Sequence, residues 1–213
     1  MVKKILSVVL VILMLTGLCG CSTLAKRLQE IETPEPLSEL KLGTILGNLY
    51  ENEFIGIGCN LGEDWNVLSA AEIQGMNEQA LGMLGEDFSE AIKNAAIVYE
   101  LTATKGTDSI SINLEKLNAA QAIMSEKDYI ALAVTSVKTA ITSMGYGNVT
   151  AESGKVTFAG KERNSILLEA EINGMKMYQT LVLIKVGGYM ANIAVCSFNT
   201  NECAEYLSYF YAV

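Results

Sequence analysis

Histidine is missing from all 213 residues. Its absence removes the usual base of Ser-His-Asp and Cys-His nucleophile sets and the commonest ligand of zinc and non-haem iron, so hydrolytic chemistry of the ordinary kinds is excluded. Proline is nearly as scarce: there are two, Pro34 and Pro36, both in one polar stretch near the start. Of the five cysteines, at positions 19, 21, 59, 196 and 203, no two have the C-x-x-C spacing of a zinc site or a redox dithiol. Cys59 and Cys196 fall in strand-like segments and are expected to be buried as small apolar residues, while one disulfide among Cys59, Cys196 and Cys203 is left open. Cations are also short, 15 Lys and Arg against 24 Asp and Glu, for a formal net charge of -9. With no cluster of lysine or arginine, nucleic acid and anionic lipid are poor partners. The charge fits a solvated acidic surface. Cofactor motifs are absent too: Gly56-Ile57-Gly58 would need glycine at position 61 to complete a dinucleotide loop, and Leu61 stands there, so these read as strand glycines in close packing and no cofactor is expected.

What the chain does have is an uncharged apolar run, Ile5 to Gly20, preceded by Lys3 and Lys4. That is the layout of a secretory signal peptide, and it is short of the about 20 residues that a spanning helix needs. The run ends in Leu18-Cys19-Gly20-Cys21, which resembles the bacterial lipobox: a small residue precedes a cysteine that accepts diacylglycerol and becomes the new N-terminus after cleavage. Gly20 places the acceptor at Cys21, since bulky Leu18 disfavours Cys19. The resemblance implies a leader over 1–20, a lipid anchor at Cys21 and an address on the extracytoplasmic face of a bacterial membrane. Because 1–20 holds two lysines and no acidic residue, the charge of the remaining chain would fall from -9 to -11.

Residues 21–42 are polar, hold both prolines and read as a tether. Residues 43–213 are long enough to bury a core and are expected to form a single domain. Two strands, 47–50 and 54–61, are expected around a turn at Glu51-Asn52-Glu53. Helices follow over 69–79, with Ser69 as N-cap, and over 86–95. Alternation over 96–103 and 109–114, with Lys105-Gly106-Thr107 between, predicts a hairpin. The strongest helix signal starts at Ser125 with Asp128 three residues on, carries an apolar stripe through Tyr129, Ala133, Val137, Ala140, Ile141 and Met144, and stops at Gly145. A strand meander is expected over 148–152, 155–159, 165–172, 175–186 and 189–196, with Asn173-Gly174 and Gly187-Gly188 as turns, and a helix over 201–211 closes the chain. The fold class is therefore α+β, a mainly antiparallel sheet flanked by helices.

The stretch Tyr50-Glu51-Asn52-Glu53-Phe54-Ile55-Gly56-Ile57, the turn Gly62-Glu63-Asp64-Trp65, and the later Val156-Thr157-Phe158-Ala159-Gly160-Lys161 with Tyr178-Gln179 look like segments of small exported bacterial lipoproteins. The order of elements from Tyr50 onward is similar to the PsbP-like α/β/α sandwich. That resemblance implies a fold and no particular activity, because PsbP-like domains share no chemistry. The proline that usually precedes the tryptophan is missing, with Gly62 in its neighbourhood.

Among candidate contact residues, Trp65 at a loop-to-strand junction is either a stacking platform for a sugar or peptide or a plug for the end of the core. Tyr206, Tyr209, Phe210 and Tyr211 would cover more than one face of a terminal helix, so some of them must meet solvent or a partner. Glu169 and Glu171 share one face of a strand and are either a solvated surface or paired carboxylates able to do acid-base work or hold a hard cation. Two functions fit: a non-enzymatic envelope lipoprotein that binds a protein partner or a small ligand, and a carboxylate-based or metal-dependent module acting on cell-wall or dietary glycans.

Overall fold

The structure is a computed structural model that describes residues 40–81 and 97–213. The leader, Cys21, most of the tether and the helix expected over 86–95 lie outside the described residues. Eleven strands and four helices follow one another in the described parts. They are β1 Thr44–Leu46, β2 Leu49–Asn52, β3 Ile57–Asn60, β4 Asn66–Val67, α1 Ala70–Leu81, β5 Ile97–Lys105, β6 Asp108–Lys116, α2 Ala119–Ala122, α3 Glu126–Ser143, β7 Gly147–Phe158, β8 Lys161–Ile172, β9 Met175–Val186, β10 Tyr189–Phe198, α4 Cys203–Leu207 and β11 Phe210–Ala212. The strands form a seven-stranded sheet in the order β4-β5-β6-β10-β9-β8-β7 and a four-stranded sheet in the order β1-β2-β3-β11. Every pairing is antiparallel, as the chain of short connections predicts. The α+β class with a mainly antiparallel sheet is what the chain forms.

Strand alternation divides the core in two. One face of the large sheet, with Leu101, Ile112 and Ile193, packs against the small sheet through Tyr50, Ile57 and Phe210. The opposite face, with Ile166, Leu168, Met177 and Leu181, receives Ile130, Val137 and Ile141 of α3. Full burial of each such side chain contributes about 1.5–3 kcal/mol, so the α3 stripe is a principal support of that layer. α3 starts as expected, with Ser125 as N-cap accepting from Asp128 N. α1 is likewise capped at Ser69, whose backbone N–H and hydroxyl both donate to Glu72 at 2.8 Å.

Several expectations shift. The first turn lies not at 51–53 but between β2 and β3, because Asn52 Oδ1 accepts from Phe54 N and Ile55 N and Gly56 takes a positive φ of 69°. An additional strand, β1, precedes it. Ser153-Gly154 makes no turn: β7 runs straight through, and Gly154 is close to the Leu167 side chain of β8, where a Cβ would come to 2.7 Å. The turn that follows is Ala159-Gly160, both with positive φ. The closing helix is only α4, after which Phe210–Ala212 adds to the small sheet beside β3. A strand lets Phe210 enter the core while Tyr211 covers Gly58 on the other side, which a helix over the same aromatics could not do.

Candidate functional site

At one end of the first core the turn Gly62–Trp65, closed by Trp65 N donating to Gly62 O at 3.1 Å, brings the indole beneath α4. Trp65 is only 4% exposed, and it meets Tyr206 edge-to-face at 5.0 Å and Tyr209 at 6.3 Å. Its buried indole N–H lies beside Tyr209. Trp65 thus fills the end of the core, and its ring faces are not open for stacking. Tyr206 is fully buried as well. Tyr209 is half-buried, and its hydroxyl donates to Glu205 Oε1 at 2.9 Å.

Tyr206 stands between two carboxylates. Its hydroxyl is 2.5 Å from Asp108 Oδ2 and also contacts Glu202 Oε2. Asp108 Oδ1 accepts from Phe198 N at 3.0 Å and from the Thr107 hydroxyl at 3.3 Å, so one carboxylate ties the β5–β6 turn, the end of β10 and α4 together. Burial pushes the Tyr206 phenol well above its ordinary value, and both carboxylates push the same way. The hydroxyl is held protonated as a donor and is not a base or a nucleophile. Nearby, Lys105 and Asp64 form an ion pair at 2.6 Å on the rim, which holds the Asp64 carboxyl below its usual value.

Tyr211 is not part of this cluster. Its hydroxyl donates to Glu51 Oε1 at 2.7 Å on the small sheet, and its ring lies where a Cβ on Gly58 would come to 2.4 Å. Glu169 is exposed, across from Thr150 and Tyr178. Glu171 accepts from Asn148 Nδ2 at 3.0 Å and lies across from Lys176. The neighbours of both glutamates are therefore an amide, hydroxyls and a lysine. Among the described residues no group of three or more Cys, Asp and Glu is placed to hold a metal ion. Cys59, Cys196 and Cys203 are free and buried, with Cys59 and Cys203 in the first core and Cys196 in the second, so the disulfide left open is not formed.

Two buried glutamates escaped the sequence reading. Glu100, at a bulge in β5, accepts on one oxygen from Gly43 N at 2.7 Å, Tyr50 Oη at 3.0 Å and Asn52 Nδ2 at 3.2 Å, and its other oxygen has no partner. Glu115 accepts from Tyr129 Oη at 2.6 Å and Gln121 Nε2 at 3.3 Å. Burial raises both carboxyls above the ordinary glutamate value. The available signal was an acidic residue inside an apolar strand run, Ile97-Val98-Tyr99-Glu100-Leu101.

No known family and no curated protein matches the chain. LpqN of Mycobacterium tuberculosis, involved in cell envelope biogenesis, is similar at a TM-score of 0.35 and 10% identity over 71% of this chain and 75% of that one. A Pseudomonas aeruginosa protein of unknown function is similar at a TM-score of 0.29 and 10% identity; the match covers 42% of this chain and spans 58% of that protein. Likeness at this level says nothing of function.

Proposed function

We propose that the chain is a lipoprotein of a bacterial envelope, anchored by diacylglycerol on Cys21 to the extracytoplasmic face of a membrane, whose domain binds a protein partner or a small ligand without catalysing a reaction. The observation that carries this reading is the uncharged run Ile5 to Gly20, flanked by Lys3 and Lys4 and ending in Gly20-Cys21. Two acyl chains make such an anchor stable, at roughly 0.8 kcal/mol per buried CH₂, where one chain would be marginal. Among the described residues no helix is long and apolar enough to cross a membrane.

The domain's own chemistry supports binding over catalysis. At the aromatic end the titratable groups are held by one another, Tyr206 by Asp108 and Glu202, Tyr209 by Glu205, and Lys105 by Asp64. The rim of Tyr209, Glu205, Lys105 and Asp64, one half-buried tyrosine among paired charges, is the surface we assign to a partner. In the native host, Cys21→Ser is expected to abolish labelling by radioactive palmitate and to release the protein from membranes or leave it unprocessed. Undiminished labelling and retention would overturn the proposal.

A further inference from the structure

We propose that the β1–β2 hairpin rests in the interfacial layer of the membrane, with Leu42 and Leu46 as its apolar contacts; this inference depends on the anchor at Cys21. Four large hydrophobic side chains are exposed among the described residues, and two of them are here: Leu46 at 76% and Leu42 at 44%. The others are Leu132 on α3 and Val213 past β11. Leu46 borders the Gly47-Asn48 turn at the hairpin tip, and Thr44 and Leu46 point outward on either side of half-buried Ile45.

The position of these leucines is fixed where the chain enters the domain. Gly43 N donates to the buried Glu100, and Asn52 Nδ2 donates to Lys41 O at 3.3 Å, so residues 41–43 are tied to the sheet. From Cys21 to Leu40 the chain can span at most about 65–70 Å. An anchored domain therefore meets the bilayer as an intramolecular event, which lets two leucines hold a contact that a free domain would not keep; the same face carries the exposed Glu51 across from Thr44, so the surface it fits is zwitterionic lipid. A lipid surface is the occupant these features favour. A second copy pairing along β1 would gain only the ladder bonds of a three-residue strand, and the leucine side chains stand out of that ladder.

The test uses the acylated protein in phosphatidylcholine vesicles, with Thr44→Cys, between the two leucines, labelled by the environment-sensitive fluorophore NBD; the thiols at 59, 196 and 203 are buried. Lys138→Cys, exposed on α3 in the opposite layer, is the control. The expected result is a blue shift at position 44 together with loss of intensity when brominated lipid is used, and neither at position 138. Water-like emission at 44 from protein that floats with the vesicles would overturn the hairpin contact while leaving the anchor intact. Failure to float would overturn the anchor and the contact together. A blue shift that needs no vesicles and grows with protein concentration would assign the leucines to a second copy and refute the proposal.

Discussion

Replacing Glu100 by alanine is the substitution whose cost the structure defines best. It removes the acceptor of three donors: Gly43 N, Tyr50 Oη and Asn52 Nδ2. A buried donor left without a partner costs about 1–3 kcal/mol. Tyr50 is 1% exposed and loses its acceptor outright, whereas Gly43 is only half-buried and Asn52 keeps Lys41 O, so those two count in part. Against this, the desolvation that raises the Glu100 carboxyl is relieved. A net loss of about 3 kcal/mol follows, and for a domain of this size each kcal/mol moves Tm by about 2–4 °C, giving a fall of about 6–12 °C. Calorimetry or thermal melting followed by circular dichroism reads it directly. Glu100→Gln, which keeps an acceptor oxygen for Tyr50, is expected to recover most of the loss. A Glu100→Ala protein within about 0.5 kcal/mol of the parent, the range of an ordinary surface change, would refute the role given to this carboxylate.

Three further outcomes are expected. Tyr206→Phe removes a hydroxyl bound to carboxylates and leaves Asp108 and Glu202 facing each other, which should cost about 1.5–3 kcal/mol in chemical denaturation; an unchanged midpoint would contradict the geometry. Glu115 has a raised folded-state carboxyl, so its contribution to stability is full below the ordinary glutamate value of about 4.3 and lost as pH rises through the raised one; Glu115→Gln should flatten the Tm profile above about pH 4.3, and an unaltered slope would contradict this. Burial pushes the Cys59 thiol up to about 12 and raises Cys196 and Cys203, so the folded protein should resist thiol reagents at neutral pH and expose all three sites only on unfolding, whereas rapid native labelling would count against their burial.

Where local chemistry decides conformation, the residues are readable in advance. Asn173-Gly174, with positive φ at both positions, makes the β8–β9 turn, and Ser125 caps α3. Tertiary partners decided the rest. Alternation in Ser109-Ile110-Ser111-Ile112-Asn113-Leu114-Glu115 identifies a strand with one apolar face, yet its polar side is buried too, which periodicity does not report. Ser153-Gly154 has turn composition and is nevertheless mid-strand, because β8 supplies a full antiparallel ladder on one side. Tyr206 and Tyr211 read alike in sequence, as aromatics near the end, but one is enclosed by carboxylates from distant segments and the other covers a glycine of β3. Trp65 and Tyr206 are separated by 141 positions, and no spacing rule brings them to 5.0 Å; that contact depends on how α4 lies across the sheet end.

The anchor is tested most directly by the mass of the mature N-terminal peptide isolated from membranes of the native host. The account predicts that the chain starts at Cys21 with diacylglycerol thioether-linked to its sulfur. A peptide that still carries Met1, with an unmodified thiol at position 21, would contradict it.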